Sequence, residues 1–214
     1  MPFKNKKHLL HLVPHGINSD VFIPLNDADK IIREKKKQLF GDKHYDFVLF
    51  YNSRNVQRKK TSNVVLAFRA FCDNLTPEQA AKCVFVLHTE KVQDAGTDLP
   101  EVIKALCPNY DVVFVENKIS PEEMCAMYNI ADVTILTSSN EGFGLSIAES
   151  IMSGTPVIVN VTGGLQDQIG QVDDNGKQIE FDLNFGTNSV GKYKNHGIWA
   201  KPIWPCVKTI QGSV

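Results

Sequence analysis

The chain has 214 residues, of which 43% are apolar and 22% charged, with a formal net charge of -1. A length of this order builds one sizeable core, and the near-neutral balance signals neither a nucleic-acid surface nor an acidic tail. No apolar run approaches the roughly 18 residues that a membrane helix needs. The five cysteines (Cys72, Cys83, Cys107, Cys125 and Cys206) contain no CxxC pair, so they suggest no zinc site or disulfide framework and are expected as reduced core residues. Lys4, Lys6 and Lys7 precede only the short, histidine-broken stretch "HLLHLV", a poor signal peptide, and a cytoplasmic protein is expected.

In chain order, "LLHLV" (9–13) offers one strand and "PHGINSDVFIP" (14–24) is rich in turn residues. "NDADKIIREKKKQL" (26–39) reads as an acidic first turn followed by a basic helix, with Lys35, Lys36 and Lys37 on a solvated face. That reading is preferred over a metal-binding Asp27-Ala-Asp29, and no metal or cofactor is required by the sequence. Apolar strands then alternate with amphipathic helices. The strands are "DFVLFY" (46–51), "CVFVLHT" (83–89), "DVVFVE" (111–116), "DVTILT" (132–137) and "PVIVN" (156–160). The helices are "NVVLAFRAFC" (63–72), "DLPEVIKALC" (98–107), "PEEMCAMYN" (121–129) and "LSIAESIMSG" (145–154). Strands apolar nearly throughout, separated by helices, predict an α/β fold: a doubly wound, Rossmann-like parallel sheet with helices on both faces. Ser120-Pro121-Glu122-Glu123 supplies a helix start, and Gly154 a stop before Pro156. Residues 171–214, with "DDNGKQ" and "GIWAKPIWP", show no helical period, and Trp199 and Trp204 are expected to pack the prolyl tail.

In such a sheet, ligands sit beyond the carboxyl ends of the strands. The loop "NSRNVQRKKTSN" (52–63) leaves the first long strand and carries Arg54 and Lys59, two cations able to close on a diphosphate or simply to be solvated. The loop after the fourth strand leads into "EGFGLSIAE" (141–149). Gly142 and Gly144 allow close backbone approach, and the helix opening at Leu145 presents unpaired amides to an anion. Glu149 lies about a turn inside that helix and leans back toward the ligand edge, where it suits ribose hydroxyls. Ser146 and Glu149 equally match a capping box, in which the glutamate satisfies only a backbone donor.

Three stretches carry a resemblance. "EGFGLSIAE" resembles the E-x7-E motif of the family 4 (group 1) glycosyltransferases, retaining enzymes of GT-B architecture. "SRNVQRKK" (53–60) resembles their Arg-x4-Lys diphosphate loop, and "VPHGINSDVFIP" (13–24) the passage into their C-terminal domain. The resemblance implies that Arg54 and Lys59 hold the donor diphosphate and that Glu141 touches the donor sugar. It also implies that amides around Gly144, Leu145 and Ser146, beside Gly142 and Phe143, meet the phosphates, and that Glu149 binds the ribose. The backbone near Lys118 and Ile119 would lie beside the nucleobase.

Lys60 stands where the family usually has glycine, and is expected to alter the loop or add a third cation. Gly163 and Gly164 fit a later donor-side loop only loosely, with a plain turn opening a helix as the other reading. His15 and His88 are expected to be structural or peripheral. The implied organisation is an interdomain segment (1–24), a nucleotide-sugar-binding domain (25–170) and an irregular tail of the same domain (171–214). The acceptor-binding N-terminal domain of the family would be a missing partner. The expected function is therefore the donor-binding half of a retaining glycosyltransferase using a nucleotide diphosphate sugar, inactive alone. The alternatives are a non-catalytic nucleotide-sugar-binding module or another GT-B enzyme, such as a nucleotide-sugar epimerase.

Overall fold

The computed structural model describes residues 13, 15–177 and 195–204. The strand expected over 9–13 therefore lies outside the described residues except for Val13, as do Lys4, Lys6, Lys7 and Cys206. In chain order the elements are α1 (Lys30–Phe40), β1 (Phe47–Asn52), α2 (Thr61–Asp73), α3 (Pro77–Ala80), β2 (Cys83–His88), α4 (Leu99–Leu106) and β3 (Asp111–Val115). They continue as α5 (Pro121–Ile130), β4 (Val133–Leu136), α6 (Leu145–Met152), β5 (Val157–Asn160), α7 (Leu165–Gln168) and β6 (Ala200–Ile203). The six strands form one parallel sheet in the order β3-β2-β1-β4-β5-β6, the Rossmann arrangement the alternating pattern predicts.

Side chains alternate across the sheet and build a core on each face. Leu49, Tyr51, Phe85 and Leu87 meet Val64, Val65 and Phe68 of α2 on one side. Val48, Phe50, Val84 and Val86 meet Ile32 of α1 and Cys125 to Ile130 of α5 on the other. Phe50 is 1% exposed, and burying a side chain of that size contributes about 2 kcal/mol. Cys72, Cys83, Cys107 and Cys125 are free and buried, as expected.

Three expectations need correction. Lys35 is not on a solvated face: it is 6% exposed, and its Nζ donates to Glu123 Oε1 at 2.6 Å and Gln38 Oε1 at 2.9 Å, tying α1 to α5. The same Glu123 closes a capping box with Ser120 at the start of α5, so one carboxylate serves both. Second, residues 200–203 of the expected irregular tail form β6, an edge strand in which Pro202 is tolerated because an edge needs fewer ladder donors. Trp204 packs on the core and Trp199 stays half exposed, rather than both gripping a prolyl tail. Third, the acidic residues before α1 precede its first turn: Asp27 pairs with Lys36 at 2.7 Å and Asp29 accepts from the Asn26 amide at 2.9 Å.

Lys60 sits between a short 3-10 turn over Gln57–Lys59 and the start of α2, with φ 53 and ψ 40. Among the described residues it is the one non-glycine with positive φ. The left-handed conformation costs an ordinary residue on the order of 1 kcal/mol, which is a backbone reason for glycine at this position.

Candidate functional site

The strand order reverses between β1 and β4, so the chain segments leaving these two strands diverge and open a crevice at their carboxyl ends. A cleft of about 470 Å³ lies there, lined by Lys59, Glu141, Phe143, Gly144, Leu145, Ser146 and Glu149. A second lobe of about 320 Å³ carries Arg54, His88, Glu90, Glu116 and Lys118. Asn52 and Ser53, at the end of β1, belong to both lobes and join them.

The loop from Thr137 to Gly144 is held from behind by the segment after β5. Asn160 Nδ2 donates to the carbonyls of Thr137 at 2.9 Å and Ser138 at 3.1 Å, and Thr162 Oγ1 donates to that of Ser139 at 3.0 Å. The Gly164 amide donates to Glu141 O at 2.9 Å, and Gln168 Nε2 to Phe143 O at 2.5 Å and Gly144 O at 3.3 Å. Gly163 and Gly164 are thus the back wall of the Glu141 loop: a Cβ on either would land on the backbone oxygen of Glu141 or of Gly142. Gly164 is also the N-cap of α7, so the turn opening a helix is realised, and neither glycine lines the two lobes of the cleft.

Gly144 takes φ 91 at the N-terminus of α6, where no side chain caps the helix. The first helical amides are thereby left for another acceptor. Ser146 and Glu149 do not form a capping box. Glu149 turns instead to Tyr128, whose hydroxyl donates to Oε2 at 2.7 Å. Burial raises the Glu149 carboxyl above its ordinary value near 4.5, and the Tyr128 hydroxyl pulls it partly back. A carboxyl raised on folding contributes its stability below that ordinary value and loses it as the pH rises through the folded one. Glu149→Gln, which can keep the Tyr128 contact, is accordingly expected to melt higher than the parent at pH 7.5 and to show no advantage below pH ~4. Scanning calorimetry at the two pH values checks this.

Cations outnumber acids around Glu141. Lys59 Nζ and Arg58 Nη1 both reach Glu141 Oε1, the latter at 2.9 Å, and Arg58 also donates to Asn140 O at 2.6 Å. Burial favours a neutral Glu141, but Lys59, Ser138 and Arg58 outweigh it and hold the carboxyl below its usual range. Burial pushes the Lys59 ammonium down, opposed by Glu141 and reinforced by Arg58 and Arg54. We take Lys59 and Glu141 as a charged pair, because two cations share one carboxylate oxygen. The Arg54 side chain is exposed and makes no hydrogen bond or ion pair among the described residues.

The structure thus gathers Lys59, Glu141, Phe143 to Ser146 and Glu149 around one lobe, with Gly142 exposed on the same loop, and places Arg54 and Lys118 around the other. The Ile119 side chain packs against the core on the face of α1 and α5. His15 and His88 are not peripheral: His15 stacks on Phe143 with centroids 5.0 Å apart, and His88 lines the second lobe. Sequence reasoning did not single out Arg58, Asn52, Tyr128 or Gln168. Arg58 lies inside the quoted basic loop and supplies the third cation, the one that joins Lys59 on Glu141. Among the described residues no group of three or more His, Cys, Asp or Glu could hold a metal ion, and no helix is long and apolar enough to cross a membrane.

The family model for group 1 glycosyl transferases matches residues 32–180. The chain is 27% identical over 164 residues to a mannosylfructose-phosphate synthase of Agrobacterium fabrum, covering 75% of this chain and 34% of that protein. It is 29% identical over 157 residues to a D-inositol 3-phosphate glycosyltransferase of Xylanimonas cellulosilytica, covering 73% and 36%. It therefore spans about a third of the length of these relatives. In fold it resembles the crystal structure of the C-terminal domain of a group 1 family glycosyl transferase from Francisella tularensis. The TM-score is 0.56 at 21% identity, over 77% of this chain and 80% of that one.

Proposed function

The chain belongs to the group 1 glycosyl transferases, and from that membership we propose that it is the donor-binding part of an enzyme that moves a sugar from a nucleoside diphosphate to an acceptor with retention of configuration. The observation that carries the reading is the surplus of cations beside an uncapped helix N-terminus. Arg58 and Lys59 share one carboxylate, Glu141, and the Arg54 side chain has no ion-pair partner among the described residues, while α6 points its free amides into the same cleft. A departing nucleoside diphosphate gathers negative charge as the bond to the sugar breaks, and donors fixed in advance stabilise it most where water is scarce.

In this reading Arg54, Lys59 and the amides of Leu145 and Ser146 hold the diphosphate. Lys59 and Arg58 both grip Oε1 of Glu141, which leaves Oε2 for a donor sugar hydroxyl. Glu149 takes the ribose hydroxyls, and the base lies in the second lobe beside Lys118. The acceptor and the remaining machinery belong to the longer protein. Proton NMR of the first-formed product from the full-length enzyme tests the reaction class: an anomeric configuration equal to that of the donor is expected, and an inverted product would overturn the proposal.

A further inference from the structure

We propose that Asn52 and His88 are positioning residues, which fix Glu149 for the ribose through a hydrogen-bonded relay along the floor of the cleft; this rests on the donor-site reading above. Asn52 and His88 end β1 and β2 and are partners in the parallel register. The relay runs from His88 through Asn52 and Tyr128 to Glu149. Its three hydrogen bonds measure 2.8 Å, 2.8 Å and 2.7 Å.

The direction of every bond follows from the last one. Glu149, as a carboxylate, only accepts, so the Tyr128 hydroxyl donates to it and its oxygen is free to accept. Asn52 must then turn its amide nitrogen toward Tyr128, where it also touches Met124 Sδ at 3.3 Å. The Asn52 carbonyl oxygen is left facing His88 Nδ1, which must carry the proton. All three donors thus point toward Glu149, an alignment in which each bond polarises the next.

Tyr128 is fully buried, so the relay is anchored in the core and can hold one carboxylate rotamer. Glu149 Oε1 has no partner among the described residues and remains for a ligand hydroxyl. At the other end, His88 Nε2 lies 3.3 Å from the Asn117 carbonyl. The relay links the lobe assigned to the base with the residue assigned to the ribose.

Calorimetric titration of the 214-residue chain with UDP, GDP and ADP, their 2′,3′-dideoxy counterparts and inorganic pyrophosphate tests the relay. The wild type is expected to favour the ribo form of its nucleotide by about tenfold, the worth of one charge-assisted hydrogen bond. His88→Phe and Asn52→Leu should erase that preference and leave pyrophosphate affinity unchanged, while His88→Gln, which can still donate to Asn52, should retain it. Folded variants that keep the full ribo preference overturn the relay. Loss of pyrophosphate binding in the same variants also overturns it, because the effect would then be a collapse of the cleft. A wild type that binds pyrophosphate but no nucleotide defeats the donor-site reading, and the relay falls with it.

Discussion

Arg54→Ala is expected to lower turnover of the full-length enzyme by at least about a hundredfold and to leave its melting temperature unchanged, whereas Lys59→Ala should lower both. The contrast comes from what each side chain does without a ligand. The Arg54 side chain is exposed and has no hydrogen-bonded partner among the described residues, so its removal takes nothing from the folded state. Substitutions of that kind usually stay within about 0.5 kcal/mol of the parent. The Lys59 side chain is 9% exposed and shares Glu141 with Arg58. Truncating it leaves a buried carboxylate with one cation instead of two, at a cost of about 1–3 kcal/mol. Steady-state kinetics and thermal melts of the two variants separate the effects. Undiminished turnover in Arg54→Ala would remove the diphosphate clamp from the mechanism.

Gly164→Ala should abolish nucleoside diphosphate binding from behind the site, although Gly164 lines neither lobe of the cleft. Its added Cβ would meet the Gly142 carbonyl and come within 2.7 Å of Phe143 Cα. Both obstacles are backbone, so no rotamer change relieves them, and the loop carrying Glu141 must move. Overpacking of this kind costs about 1–3 kcal/mol in stability. The displaced loop would also lose the 2.9 Å bond between the Gly164 amide and Glu141 O. Gly142→Ala is the control for stability, because a Cβ there meets nothing within 4 Å. Thermal melts and calorimetry of both variants provide the check. A Gly164→Ala protein that binds nucleotide normally would show that the back wall does not shape the site.

Much of this molecule is legible in its sequence because periodicity is local. The runs around Phe50, Phe85 and Val113 are apolar enough to demand cover on both faces, and the helices between them supply it. β6 escaped because four residues containing Pro202 become a strand only when β5 is already there to pair with. Lys35 escaped for a similar reason: three consecutive lysines look solvated until α5 brings Glu123 against one of them. In the site, Arg54, Lys59 and the stretch from Glu141 to Glu149 could be found because each lies in a loop following a recognisable strand. Arg58, Gln168 and the relay of Asn52, His88 and Tyr128 could not, since each acts through a partner far away in sequence. Tyr128 and Glu149 illustrate the limit: whether that glutamate capped its own helix or faced the cleft depended on a hydroxyl from α5, which Ser146-x-x-Glu149 does not contain.

Titration of the 214-residue chain with UDP, GDP and ADP, followed by isothermal calorimetry, most directly tests whether this cleft is a donor site. Saturable binding of at least one of the three is expected, at a stoichiometry of one, weakened in Arg54→Ala. No binding of any of them to the folded chain would contradict it.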